Sequence, residues 1–125
     1  MKRIYNWLAK PAIRNLTVAD ILSYKGNRKL TQVKVNNAEE ANACIEADID
    51  MIMCSAKEVE TIREGNDVTF LTASLGVPEF PTETDILKAA FNALSAGADA
   101  VMTARSLSII SLLANEDIPV MVHLG

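Results

Sequence analysis

The sequence is poor in aromatic residues, cysteine and histidine. Only 5% of its 125 residues are aromatic, and the net charge is −4. A nucleic-acid partner is not expected, because the stacking surfaces and the positive charge that bind nucleic acids are both scarce. The two cysteines, Cys44 and Cys54, lack the spacing of metal ligands and lie among apolar residues. We interpret them as buried free thiols, which favours a reducing, cytoplasmic location.

The sequence also lacks a long hydrophobic run. No segment approaches the roughly 18 uninterrupted apolar residues of a membrane span, so no membrane partner is expected. Near the start, Lys2, Arg3 and Lys10 surround a few apolar residues without the apolar length or cleavage site of a secretion signal. We interpret residues 1–16 as an amphipathic arm broken by Pro11, and residues 17–125 as the folded domain.

The sequence does contain a regular alternation of strand and helix signals. Apolar runs predict five strands, and the segments between them have helical spacing with capping residues at their starts. The predicted strands are 30–35, 50–54, 68–73, 99–103 and 118–122, and the predicted helices are 18–24, 38–47, 56–63, 82–96 and 106–113.

Strands that alternate with helices predict βαβ units and a parallel α/β sheet. Two architectures are compatible with right-handed crossovers. One is a partial eight-stranded β/α (TIM) barrel, whose full form usually needs about 250 residues. The other is an open, doubly wound sheet of five strands. In either case the apolar last strand needs a cover, and self-association would supply it, so a homo-oligomer is predicted.

Polar residues at the carboxyl ends of the predicted strands are the candidate site residues, because ligands bind there in parallel α/β folds. Ser55, Ser74 and Thr103 are candidate substrate contacts after the second, third and fourth strands. His123, the chain's one histidine, follows the fifth strand as a candidate general base. An alternative remains for each type of residue. A serine can cap the next helix, and a histidine can be a buried core residue whose hydrogen bonds are satisfied within the fold.

Three short sequence phrases lie at identifiable places in this order of elements: before the first strand, at the fourth strand and at the fifth strand. They are Thr-Val-Ala-Asp-Ile-Leu at 17–22, Gly-Ala-Asp-Ala-Val at 97–101 and Ile-Pro-Val-Met-Val-His-Leu-Gly at 118–125. Together they resemble the ketopantoate hydroxymethyltransferase (3-methyl-2-oxobutanoate hydroxymethyltransferase) family. The resemblance implies the first half of a β/α barrel of the phosphoenolpyruvate mutase and isocitrate lyase type. It also implies an enzyme of pantothenate synthesis that uses Mg²⁺ and methylenetetrahydrofolate to hydroxymethylate a small 2-ketoacid.

The chain departs from that family where the metal and the ketoacid would bind. Ala56 and Ser74 stand at the positions of the family's metal-binding aspartates, and Met102-Thr103-Ala104 replaces its Lys-x-Glu. Of the polar site residues expected in this half, His123 remains, and no metal ligand is predicted. Enolising a ketoacid needs a cation to hold the developing charge. The alternative function is therefore a non-catalytic paralogue that acts as a binding or assembly subunit.

Overall fold

The computed structural model describes residues 1–24, 26, 28–76 and 79–122. The elements, in chain order, are β1 (Lys2–Tyr5), β2 (Pro11–Arg14), α1 (Val18–Ser23), β3 (Gln32–Lys34), α2 (Ala38–Glu46), β4 (Met51–Ser55), a 3-10 turn (Ala56–Glu58), α3 (Val59–Gly65), β5 (Phe70–Ser74), α4 (Glu83–Ala96), β6 (Ala100–Thr103), α5 (Leu107–Ala114) and β7 (Val120–Val122). The five predicted strands and five predicted helices are confirmed, with boundaries that differ by about two residues once the 3-10 turn is counted with α3.

The order of the strands decides between the two predicted architectures. β3 to β7 lie side by side in chain order, and every neighbouring pair is parallel. Right-handed crossovers that always step in the same direction place all helices on one side of the sheet, whereas a doubly wound sheet reverses direction and has helices on both sides. The chain is therefore a partial TIM-barrel-like α/β fold, as predicted, and the doubly wound arrangement is not observed.

The side of the sheet that faces α2 to α5, here called the helix side, contains the main hydrophobic core. Strand residues such as Ile52, Leu71 and Val101 are buried there against helix residues such as Ile86 and Leu113. The longest described helix is α4, with 14 residues. In the described part of the chain, no helix combines the length and the apolar character that crossing a membrane requires.

The opposite side of the sheet, here called the open side, is covered only in part. Within the described ranges, α1 packs over its amino-terminal half, where Ile21 lies against Phe70 and Ala100. Side chains in its carboxyl-terminal half, such as Met53 and Met102, remain partly exposed. In a closed β/α barrel this side is the packed interior, so the open side is the surface that a complete barrel would bury.

Three helix-to-strand turns have two features in common: a residue with positive φ, and a hydrogen bond from the next residue back to the helix. The similar phrases at 46–50 and 96–100 predict such a repeated turn. The residues that follow α2, α4 and α5 with positive φ are Asp48 (56°), Gly97 (120°) and Asp117 (60°). In each turn the next residue donates its N–H to a helix carbonyl five positions earlier: Ile49 to Cys44, Ala98 to Ala93 and Ile118 to Leu113. Glycine adopts positive φ freely, and aspartate tolerates it better than most residues, so these residue types suit the turn.

A buried carboxylate joins the hairpin, α3 and the sheet at the amino ends of the strands. Asp99 accepts hydrogen bonds from Arg14 Nε at 3.0 Å, from Arg63 Nη2 at 2.9 Å and from the Leu71 backbone N–H at 3.0 Å. All three charged side chains are at most 10% exposed. Both arginines also donate to the Gly97 carbonyl. Burial lowers the pKa of Arg63 to about 10, so its guanidinium stays charged at neutral pH beside Asp99.

Residues 1–16, predicted as an amphipathic arm, form the antiparallel β1–β2 hairpin. Pro11 does not break the segment; it is the first residue of β2 and pairs with Tyr5 at the hairpin end, a position that strands allow for proline. Trp7 contacts Phe91 of α4 edge to face, with ring centroids 6.0 Å apart. Together with the Arg14–Asp99 ion pair, this contact fixes the hairpin on the folded body.

Replacing Asp99 by alanine should lower the free energy of unfolding by about 3–5 kcal/mol, because two buried guanidinium groups lose their counter-charge. Urea unfolding measures the change. The control is Lys2→Ala, which removes an ion pair whose lysine is exposed and should leave the stability nearly unchanged. An Asp99→Ala protein as stable as the control would contradict the structural role of this network.

Replacing Gly65 by alanine should also destabilise the fold, by about 1–3 kcal/mol. A Cβ at Gly65 would lie 2.7 Å from the Ala38 carbonyl carbon, so the end of α3 and the start of α2 would have to separate. Gly76→Ala is the matched control, since its Cβ would meet only the Glu79 carboxylate at 3.5 Å. Thermal or urea unfolding of both variants tests the contact, and equal losses would argue against a close approach at Gly65.

Candidate functional site

The carboxyl ends of β4 and β5 bring two of the predicted substrate contacts together. Ser55 and Ser74 are register partners in these adjacent parallel strands. Side chains alternate along a strand, so Ser55 faces the same side as Met53, and Ser74 the same side as Thr72. That side is the open side, and neighbouring strands lie about 5 Å apart. The two side chains therefore lie on the same face of adjacent strands at the carboxyl edge, where barrels bind their ligands. The Ser55 hydroxyl also caps the following 3-10 turn, because it accepts a hydrogen bond from the Lys57 backbone N–H at 3.4 Å.

Thr103 does not join this pair. It shares the alternation of Val101, which faces the helix side, and it is only 1% exposed. Its hydroxyl accepts a hydrogen bond from the Arg105 backbone N–H at 3.1 Å. The structure thus uses Thr103 in the turn that leads into α5 and separates it from the two serines by the thickness of the sheet.

The predicted general base, His123, lies outside the described residues, and its role stays a prediction. A residue that the sequence interpretation missed is Thr72. It is fully buried on the open side, two positions before Ser74, and its hydroxyl lies 3.6 Å from the Met121 sulfur. The period of two along β5 could have identified it, because that period places Thr72 and Ser74 on the same face.

Two cations hold the loop that follows β5. Lys57 forms an exposed ion pair with Glu79 at 3.3 Å, and its ammonium lies 5.7 Å from the centre of the Phe80 ring. From the other side, Arg105 donates to the carbonyls of Phe80 and Pro81, both at 3.4 Å. These contacts position the described part of the loop at the carboxyl edge. Both described hydrogen bonds of the Arg105 guanidinium go to neutral carbonyl oxygens.

The residues present do not fit the Mg²⁺ site that the family resemblance implies. Ala56 has no ligand atom, and Ser74 offers a neutral hydroxyl where a carboxylate is expected. Across residues 1–24, 26, 28–76 and 79–122, no group of three or more His, Cys, Asp or Glu side chains could hold a metal ion. Mg²⁺ and methylenetetrahydrofolate were expected through the resemblance alone.

Comparison with known proteins gives the fold but no family. No protein-family model matches the chain, and a search of curated proteins finds no match. Among solved structures, it is similar to a rubisco-like protein from Burkholderia fungorum, with a TM-score of 0.61 and 14% identity over 91% of this chain and 36% of the other. It is also similar to the rubisco-like protein MtnW from Alicyclobacillus acidocaldarius subsp. acidocaldarius, with a TM-score of 0.60 and 12% identity over 90% and 37%. The chain thus spans just over a third of the length of each.

The predicted membership of the ketopantoate hydroxymethyltransferase family is wrong. No family model supports it, and the similar solved structures are rubisco-like proteins. The physical reason lies in the phrases that suggested it. The Gly97-Ala98-Asp99-Ala100 phrase is the recurring helix-to-strand turn, with positive φ at Gly97, and the phrase at 118–125 begins in the same kind of turn after α5. Such turns recur wherever this fold returns to its sheet, so they indicate the fold and not the family.

Cys54 adjoins this site but does not belong to it. It precedes Ser55 in β4, faces the helix side and has no exposed surface. Burial raises the pKa of its thiol from the ordinary value of 9.0 to about 11. At neutral pH it is therefore a protonated core group and a poor nucleophile, as the sequence predicts for a buried thiol.

This shift predicts a loss of stability at alkaline pH. The unfolded thiol releases its proton near pH 9 while the folded thiol keeps its own to about pH 11, so the folded state binds more protons in this window. The contribution is fully present below pH 9 and is lost as the pH rises to about 11. Urea unfolding across this range should show a steeper decline for the native chain than for Cys54→Ala. Equal slopes would contradict the shifted pKa.

Proposed function

We propose that this chain binds a small carboxylate-containing metabolite at the carboxyl edge of its sheet, with the hydroxyls of Ser55 and Ser74 as donors to the ligand. The observation that carries the proposal is the register pairing of these serines on the open side. A serine hydroxyl can donate one hydrogen bond, so two adjacent serines match the two oxygens of one carboxylate.

The surroundings of the pair support a carboxylate over a neutral ligand. Arg105 brings a guanidinium to this edge, and its hydrogen bonds among the described residues go to carbonyl oxygens of the loop after β5. Lys57, two positions after Ser55, lies on the same edge in an exposed pair with Glu79. In β/α barrels the loops after the strands complete the site, and here the loop after β5 is the one that both cations hold.

A second candidate function is that of an assembly subunit, and a different observation favours it. The open side carries Met53, Met102 and Met121, all partly exposed, whereas the other face of the sheet carries the main hydrophobic core. Contiguous apolar surface of this kind marks a site of association in soluble proteins. The two functions share the open side, because Met102 is the register partner of Ser74 and Met53 lies two positions before Ser55.

The binding proposal is tested by NMR titration of the chain with pyruvate and other small 2-keto and 2-hydroxy acids. We expect a carboxylate to shift the amide resonances of Ser55 and Ser74. Ser55→Ala and Ser74→Ala should each weaken that ligand about tenfold, since a hydrogen bond to a charged group contributes about 1.5 kcal/mol or more.

The matched control is Ser95→Ala, which removes the hydroxyl of an exposed serine near the end of α4 and should not change the affinity. Glucose serves as a ligand with hydroxyls but no carboxylate and should not bind. Unchanged affinity in both serine variants, or no shift at these residues with any acid, would exclude the proposed site.

A further inference from the structure

Both edges of the five-stranded sheet are open in the described structure. β3 forms one edge and β7 the other, and each pairs with a neighbour on one side only. The three residues of β3 are all exposed, in contrast to the buried strands at the centre. An unpaired strand edge presents a row of backbone N–H and C=O groups that another strand can pair with. The two edges can pair with each other in a parallel sheet. A β3 strand of another chain could lie beside β7 in the parallel direction that every neighbouring pair of this sheet already has.

An apolar groove lies beside the β7 edge on the open side. It has a volume of about 310 Å³, and its walls include Val18 and Leu22 of α1 on one side and Pro119 and Met121 at β7 on the other. Leu22 is 70% exposed. Pairing a strand with β7 would therefore bury apolar surface in addition to satisfying backbone groups.

The charges that precede the two edge strands are opposite in sign. Glu116 and Asp117 come four and three residues before Val120, where the β7 ladder begins. Arg28 and Lys29 come four and three residues before Gln32, where the β3 ladder begins. All four are exposed, and Arg28 also contacts Asp50 of its own chain at 3.1 Å.

The register of the existing pairs shows how these charges would meet. The first residue of the later strand faces the first residue of the earlier strand in β3–β4 and in β4–β5, the third residue in β5–β6 and the second residue in β6–β7. A β3 strand that pairs with β7 at an offset within this range places the basic pair before β3 within two residues of the acidic pair before β7. The contact then has a charge complementarity as well as an apolar groove.

We infer that the partner at the β7 edge is a second copy of this chain, which pairs its β3 with β7. A contact between two different surfaces either propagates or closes into a ring. In the smallest ring, a dimer with a two-fold axis, each copy offers its β7 to the other's β3. Both free edges of both copies are then satisfied, and the two open sides face each other as one interior. The inference gives the assembly role its partner and does not depend on a ligand at Ser55 and Ser74.

The test is the mass in solution of charge-reversed variants, measured by light scattering after size exclusion. The native chain should have twice the 13.6 kDa of one chain. Lys29→Glu alone and Glu116→Lys alone should each shift the mass to that of one chain, because each homodimer would place like charges together at both contacts. An equimolar mixture of the two variants should restore the doubled mass, since opposite charges then meet at both contacts.

Glu60→Lys, at an exposed position on α3 away from both edges, is the matched control and should keep the doubled mass. The mixture also guards against misfolding, because unfolded variants would not recover a defined dimer. A native chain that stays at 13.6 kDa from micromolar to millimolar concentration would overturn the inference and leave the groove to a different protein. A dimer that neither reversal weakens, or a mixture that stays monomeric, would overturn it as well.

Discussion

The Asp99 carboxylate is the point at which the separate parts of this fold are held together. It accepts hydrogen bonds from Arg14 of the hairpin, from Arg63 of α3 and from the Leu71 amide of β5. Buried charges of this kind are costly to leave unpaired, so each group depends on the presence of the others. Asp50 occupies the equivalent place in the turn between α2 and β4 and accepts a hydrogen bond from the Thr31 amide at 2.9 Å. The same turn thus positions an aspartate twice, each time to hold the start of a neighbouring strand.

The two ends of the strands differ in their contacts. At the amino ends of the strands, buried ion pairs and the docked hairpin stabilise the fold. The carboxyl ends carry neutral hydroxyls and a loop held by Lys57 and Arg105, and these groups remain partly exposed. β/α barrels in general show the same division, with stability at one end and ligand binding at the other. In this chain the buried ion-pair network at the amino ends matches the stabilising half of that pattern.

The sequence predicts the elements of the domain well because each is signalled locally. Apolar runs, capping residues and the repeated turn phrase are features of a few adjacent residues, and the sheet order follows from them through right-handed crossovers. The hairpin was missed because its pairing is not signalled in that way: β1 begins with Lys2 and Arg3, and β2 begins with a proline. The Arg14–Asp99 pair spans 85 residues of sequence, and no local pattern announces such a contact.

The candidate site was predictable in part for the same reason. Strand ends can be read from the sequence, and the structure confirms that Ser55, Ser74 and Thr103 end their strands. Which face each side chain occupies depends on the strand boundary, since a shift of one residue moves a side chain to the other face. That rule separates Thr103 from the serines once β6 is known to place Val101 in the helix-side core. The family resemblance failed because it drew on turn phrases whose physical cause is common to the fold.

The open side links the proposed binding site to the proposed assembly. As long as it faces water, a ligand at Ser55 and Ser74 must exchange water hydrogen bonds for serine hydrogen bonds, and the net gain is small. Covering the open side would lower the local dielectric and strengthen the same hydrogen bonds. A second copy on the β7 edge would therefore raise the affinity for the ligand without touching it, and by linkage the ligand would stabilise the dimer to the same extent. A partial barrel of this kind would bind its ligand most tightly once its interior is closed.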